Sequence, residues 1–237
     1  MNTLSYQERR SAIETYFDRT AVKAWEQLTS TAPVGRIRAS VRAGRDQMRS
    51  TLLNWLPADL SGRRILDAGC GTGAFAVEAA LRGANVVAID LSPKLVELAR
   101  QRVPAKLGAA HGRGSIEFHS GDMLDPALGH FDHVVAMDSI IHYSTEDAVR
   151  ALSTLAARTS TSVQFTFAPR TPFLAAMISL GRLLPRSDRA PWIEPMAEDK
   201  LALLMMQDTS LLHWQSGRTQ RISSGFYKSQ AMEWRRW

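Results

Sequence analysis

The stretch Asp67-Ala68-Gly69-Cys70-Gly71-Thr72-Gly73 constrains the fold of this chain more than any other. It follows an apolar run, Arg64-Ile65-Leu66, that reads as a buried strand, and it leads into Ala74–Ala80, which reads as a helix. Glycines have no Cβ and accept positive φ, so such a turn lets a ligand touch the backbone. The helix start behind it offers unpaired N–H groups and a partial positive charge. A second apolar run, Val86–Ile89, ends in Asp90. A carboxylate at that strand tip can accept hydrogen bonds from both hydroxyls of a ribose.

The segments around this unit alternate strand and helix, which implies a parallel sheet with right-handed crossovers. Strands are expected near 64–67, 86–90, 115–119, 132–137 and 162–167, with helices near 73–82, 93–102 and 145–158. Ser92-Pro93 reads as a helix start, with serine as cap and proline in first position. Residues 5–30 read as helical, and a second helix runs from Gly35 to Trp55 with Ile37, Val41, Met48 and Leu52 as its apolar stripe. Arg38, Arg42, Arg45 and Arg49 share one face of it. That face reads as solvated, with a surface for phosphates, carboxylates or a partner as the alternative. Beyond the fifth strand the alternation breaks. Residues 170–209 form an insertion containing an apolar helix candidate, Phe173–Leu184, before two antiparallel closing strands at 211–222 and 225–234. Residues 1–60 are expected to form a helical lid and 61–237 the ligand-binding core.

Composition narrows the function classes. At 237 residues, 45% hydrophobic and 22% charged, the chain has the material for a packed α/β core. No apolar run approaches the roughly 18 residues of a membrane span, so a cytoplasmic protein is expected, with contact to a membrane surface left open. The single cysteine, Cys70, excludes an internal disulfide and reads as small filler inside the glycine turn rather than a nucleophile. No metal site is expected. A net charge of +6 favours an anionic partner: nucleic acid, an acidic membrane or an acidic small substrate.

The glycine spacing decides between nucleotide classes. A dinucleotide site prefers G-x-G-x-x-G, whereas this turn reads D-x-G-x-G-x-G with an acid on the next strand. That pattern resembles the S-adenosylmethionine site of class I methyltransferases. The resemblance implies a Rossmann-like α/β fold, a mostly parallel seven-stranded sheet closed by an antiparallel hairpin, and S-adenosylhomocysteine as the spent cofactor. Asp67, Gly69, Gly71 and Gly73 then cradle the methionine and ribose parts, Asp90 and Leu91 hold the ribose, and Asp122 and Met123 reach the adenine. Asp122 as a turn cap and Met123 as core are the plainer readings. Met137-Asp138-Ser139, at the end of strand four, faces the methyl group and the acceptor.

The segment after strand four narrows the acceptor. It lacks an N/D-P-P-Y/F signature for exocyclic amines of nucleic acids, so nucleic acid is not the expected substrate. His142, beside Tyr143, stands where an acceptor arrives. A phenol or alcohol needs it as a base, while a carboxylate is already ionised at neutral pH and needs only orientation. The other histidines (111, 119, 130, 133 and 213) read as surface or strand residues. Phe131–Tyr143, Thr166–Pro172, Leu184–Pro191 and Arg221–Ser229 resemble the magnesium-protoporphyrin IX O-methyltransferases of bacteriochlorophyll and chlorophyll synthesis. The likeness spans essentially the whole chain. It implies esterification of one propionate of a metalloporphyrin, handover from the magnesium-inserting chelatase, and a place at the photosynthetic membrane. The chlorophyll branch carries a tyrosine shortly after the tryptophan matching Trp25; here Leu28-Thr29 stand instead, leaving Tyr16 and His142 as catalytic candidates. Arg170, Arg186, Arg189 and Lys228 are candidate cations for the second propionate, and the insertion for an apolar wall. Methylation of another hydrophobic acceptor, such as a quinone precursor, with His142 as base, and a porphyrin carrier without turnover remain as alternatives.

Overall fold

The computed structural model describes residues 6–16, 35–104, 107, 114–171 and 193–237. Among these residues seven strands form one sheet: β1 (Arg64–Ala68), β2 (Asn85–Asp90), β3 (Ser115–Ser120), β4 (Phe131–Ala136), β5 (Thr159–Phe167), β6 (Trp214–Ser224) and β7 (Tyr227–Arg236). Their order is β3-β2-β1-β4-β5-β7-β6. The first five pair in parallel, and β7 lies antiparallel between β5 and β6. Six described helices surround the sheet: α1 (Tyr6–Tyr16), α2 (Arg36–Trp55), α3 (Ala74–Leu81), α4 (Pro93–Gln101), α5 (Thr145–Ala156) and α6 (Glu198–Gln207).

Strand side chains alternate between two apolar faces, and parallel strands covered on both sides need apolar residues at nearly every position. Ile65, Val86, Val135 and Ala231 pack with Met48, Leu52 and Leu53 of α2 and Phe75, Ala76 and Ala79 of α3. Leu66, Val87, Val134, Phe165 and Met232 face the opposite way, toward Leu152 and Leu155 of α5 and Leu201 and Met205 of α6. The strand order reverses between β1 and β4, which opens a crevice at the carboxyl ends of the strands. The glycine turn, Asp90, Gly121–Met123 and Met137–His142 therefore meet at one edge.

The local signals operate as read. The Ser92 side chain accepts from Leu95 N–H at 3.3 Å to cap α4, and Pro93 opens that helix. Several boundaries differ from expectation. β5 begins at Thr159 instead of 162, because the polar run Thr159-Ser160-Thr161 is held by pairing with Phe131 and carries no apolar signal. The hairpin strands start two to three residues late. The Asp208 carboxylate accepts from Ser210 N–H at 2.9 Å and caps a 3-10 turn at Thr209–Leu211 that delays β6. The apolar stripe of α2 begins further along than expected: Ile37 is 59% exposed, while Met48, Leu52 and Leu53 are buried. Helix α6 is an element the sequence reading did not resolve within the insertion. Residues 17–30 of the first expected helix and the helix candidate Phe173–Leu184 lie outside the described residues. No described helix is long and apolar enough to cross a membrane.

Candidate active site

The glycine turn folds back onto β2. Gly69 N–H and Cys70 N–H both donate to the Ile89 carbonyl, at 2.8 and 2.9 Å. Gly69 sits at φ 88°, and a Cβ on it would lie 2.3 Å from the Ser139 Cβ. Only glycine fits at that contact between the β1 turn and the β4 tip. Asp90 Oδ2 accepts from Gly71 N–H at 2.8 Å and Oδ1 from Ser92 N–H at 2.9 Å. Each carboxylate oxygen accepts a second hydrogen bond, so these two bonds aim Asp90 while it keeps capacity for ribose hydroxyls. Loss of hydration raises the Asp90 carboxyl above its ordinary value, against the pull of the Ser92, Gly71 and Leu91 N–H groups. Asp67 is pushed up to about 7 by burial and then by the Asp90 charge, while the Ala76 N–H pulls it down. Its Oδ2 is buried without a hydrogen-bond partner. An orphaned carboxylate oxygen beside a backbone cradle fits a ligand that brings donors and positive charge.

The tip of β4 holds a denser polar cluster. Asp138 is the one non-glycine residue at positive φ (56°) among the described residues, a conformation costing an L-residue roughly 1–2 kcal/mol. Its carboxylate receives Arg45 Nη1 at 2.7 Å from α2. Tyr227 Oη of β7 donates to it, lying 3.0 Å from Oδ1 and 3.1 Å from Oδ2. Thr166 Oγ1 of β5 donates to Oδ1 at 3.0 Å while accepting from Asp138 N–H at 2.7 Å. Ser229 Oγ adds a longer contact of 3.4 Å. The Arg45 and Asp138 side chains are only 18% and 7% exposed. The solvated reading of the arginine face is thereby corrected at Arg45, because a carboxylate on the strand tip draws it inward. Arg49 is likewise paired, with Glu78 at 2.5 Å and Asp46 at 2.9 Å. Burial and then the Asp138 charge push the Tyr227 phenol well above its ordinary value, so it remains a donor. One residue on, Ser139 Oγ is buried and unpartnered. His142 follows, buried in a 3-10 turn at Ile140–His142. The Ile141 carbonyl of that turn accepts from Glu194 N–H at 2.8 Å, tying the tip to the chain beyond the insertion.

The adenine candidates carry structural duties as well. Asp122 Oδ1 accepts from Leu124 N–H at 2.9 Å, and Oδ2 accepts from Arg10 Nη1 of α1 at 2.7 Å. Met123 is a buried core residue whose carbonyl takes a hydrogen bond from Arg158. Both plainer readings are therefore realised. Met137 lines the same edge and is buried. Tyr16 is half-buried, with its phenol raised by burial.

The model of the magnesium-protoporphyrin IX methyltransferase C-terminus matches residues 136–236, and a methyltransferase domain model matches residues 65–161. The magnesium-protoporphyrin O-methyltransferase of Rhodobacter capsulatus is 48% identical over 97% of this chain and 98% of its own length. The chain belongs to the magnesium-protoporphyrin O-methyltransferase family. The Synechocystis enzyme of the same name is 28% identical over 94% of this chain and 95% of its own. The crystal structure of the Synechocystis PCC 6803 magnesium protoporphyrin IX methyltransferase with bound SAH superposes with a TM-score of 0.81, at 26% identity, covering 96% of this chain and all of that one. The fold is that of class I, S-adenosylmethionine-dependent methyltransferases.

Of the sequence-predicted residues, the fold brings Asp67, Gly69, Gly71, Gly73, Asp90, Leu91, Asp122, Met123, Met137 and His142 to the carboxyl edge of the sheet. Lys228 joins that edge at the β6–β7 tip, its ammonium hydrogen-bonded to Ser223 Oγ at 2.5 Å. Arg170 is exposed just past β5, its N–H bonded to the Met196 carbonyl at 2.9 Å. Arg186 and Arg189 lie outside the described residues. Cys70 behaves as filler: burial and the Asp67 and Asp90 charges push its thiol well above the ordinary value. His133 is a strand residue whose ring meets Ser162 Oγ at 2.7 Å. Sequence reading missed Arg45, Thr166, Tyr227 and Ser229 as a group. The arginine spacing on α2 hinted at it, but no local pattern joins its members, because the cluster is assembled from four elements far apart in the chain.

Proposed function

We propose that the chain transfers the methyl group of S-adenosylmethionine to a propionate carboxylate of magnesium-protoporphyrin IX, giving the monomethyl ester. The observation that carries this reading is the near full-length 48% identity to the Rhodobacter capsulatus enzyme. Asp90 takes the ribose hydroxyls, the Gly69–Gly73 backbone and Asp67 take the methionine end, and Met137, Asp122 and Met123 flank the adenosine. Bound S-adenosylmethionine supplies an electrophilic methyl on a cationic sulfur. A propionate is ionised at neutral pH, so the acceptor needs no proton removed. His142 orients that carboxylate, and rate comes from in-line placement in a site that excludes water. Burial holds the Tyr16 phenol protonated, which suits it to donate a hydrogen bond to the acceptor rather than to act as a base.

Arg170 and Lys228, with Arg186 and Arg189 from the insertion, are the cations offered to the second propionate. Residues 1–60 act as a lid, and 170–209 supply the apolar wall for the macrocycle. The same insertion meets the photosynthetic membrane from the cytoplasmic side, where the magnesium-inserting chelatase hands over the porphyrin. The test is turnover of purified protein with methyl-labelled S-adenosylmethionine and magnesium-protoporphyrin IX. One methyl gained as a base-labile ester is the expected product. Cofactor binding by folded protein without porphyrin methylation would transfer the reading to another acceptor or to a carrier.

A further inference from the structure

We propose that Tyr227 and Arg45 are positioning residues for the transfer: they hold Asp138 in its left-handed conformation and so fix the strand-four tip, Ser139 to His142, against the glycine turn. The inference rests on the methyl-transfer reading of the same site. Three observations lead to it. Asp138 adopts a φ of 56°, which an L-residue keeps only where its surroundings over-determine it. The groups that do so come from three separate elements: Arg45 of α2, Thr166 of β5, and Tyr227 and Ser229 of β7. The consequence of that conformation is local. Ser139 is delivered into van der Waals contact with Gly69, where even a methyl group on the turn would collide.

The approach of α2 to β7 is built for this cluster. A Cβ on Gly44 would lie 2.5 Å from Tyr227 Cδ1 and 2.9 Å from its Cβ and Cγ. Glycine at that position lets the ring slide beneath the helix, and the next residue, Arg45, then reaches Asp138. Tyr227 and Arg45 are thus set by one helix-on-strand contact. Both act on Asp138 through its carboxylate, so their influence on chemistry runs through the backbone of the β4 tip. A relaxed Asp138 would swing Ser139 off Gly69 and displace His142, which stands one turn further on. Misplacement of an acceptor-orienting group by about 1 Å costs rate up to about a hundredfold while leaving ground-state binding nearly intact.

The test separates backbone placement from carboxylate chemistry. Tyr227→Phe and Arg45→Gln are expected to lower kcat about tenfold each, with S-adenosylhomocysteine affinity by calorimetry within about twofold of wild type. Asp138→Ala, with a Cβ but no anchor, should lose more. Asn and Gly both tolerate positive φ, so Asp138→Asn and Asp138→Gly should recover most of the kcat lost in the alanine variant. In the Asp138→Gly background, adding Tyr227→Phe should cost nothing further. Full activity of Tyr227→Phe, or Asn and Gly variants as inactive as Ala, would overturn the proposal; the latter result would assign the carboxylate itself to the reaction. Wild-type protein that binds cofactor yet methylates no porphyrin would fail the function reading instead, and melting curves for each variant identify any loss due to unfolding.

Discussion

Asp67 and Asp90 stand side by side at the ends of β1 and β2 with little solvent to share, and their electrostatics give the site a pH signature. Asp67 is protonated in the folded protein below about 7, whereas an unfolded aspartate ionises above about 4. Between those values the folded state holds more protons, so the stability of the ligand-free protein falls as pH rises through the window, by roughly 3–4 kcal/mol from this group. A cationic ligand reverses the preference by favouring the ionised carboxylate. Binding of S-adenosylmethionine at about pH 6 should therefore release close to one proton, and affinity should rise toward pH 8. Calorimetry in two buffers of different ionisation enthalpy measures that proton directly. Asp67→Asn should abolish the release and flatten the stability profile. Equal enthalpies in both buffers for the wild type would show that the protonation of Asp67 does not change when cofactor binds. The same residues mark how far the sequence speaks at this scale. Asp67, Asp90 and the glycines stand out as candidates in the sequence because they lie within one strand–turn–helix–strand unit. Tyr227 does not, because nothing within ten residues of it says that it lies under α2 and beside Asp138.

Elements were legible where local rules govern them. The apolar runs of β1, β2 and β4 and the Ser92-Pro93 start of α4 place themselves, since burial and capping are decided nearby. β5 and the hairpin shifted because their ends are set by pairing partners and by the Asp208 cap rather than by composition. Helix α1 belongs to a third class, placed by contacts far along the chain. Arg10 meets Asp122 at 2.7 Å across the end of β3, and Ile13 enters the core cluster that contains Met123 and Tyr143. Both side chains of the ion pair are partly exposed, so it is worth at most about 1 kcal/mol. That is a fastening weak enough to open and re-form. If residues 1–60 close over the cofactor, S-adenosylhomocysteine should protect residues 1–55 from limited proteolysis. Arg10→Ala should raise cleavage in that segment by up to about fivefold in the free protein and reduce the protection. Cleavage that ignores cofactor would remove the lid.

On the scale of the whole molecule, the N-terminal helices and the C-terminal hairpin must agree on one geometry for the site to exist, and Arg218 is one of the residues that tie them. Its Nε and Nη2 reach the two oxygens of Glu233, at 2.8 and 2.7 Å, and Glu233 is only 1% exposed. The same guanidinium donates to the Trp55 carbonyl at the end of α2 and lies 5.4 Å from the Trp55 ring centroid. One residue of the edge strand β6 therefore satisfies a buried carboxylate on β7 and fastens the helix that carries Gly44 and Arg45. Removing it strands the Glu233 charge, for which Arg235 at 3.7 Å is a poor substitute. Arg218→Ala should cost about 2–4 kcal/mol, lowering Tm by roughly 5–15 °C in a chain of this size. The double variant Arg218→Ala with Glu233→Gln should recover about half of that, because no buried charge is left unpaired. Stability and catalysis should then part company. The double variant regains stability without regaining the fastening of α2, so its kcat should stay nearer to that of Arg218→Ala than to wild type. A double variant recovering both together would mean that the other contacts of α2 with the hairpin and with Asp138 hold it in place, and that Arg218 serves only to neutralise Glu233.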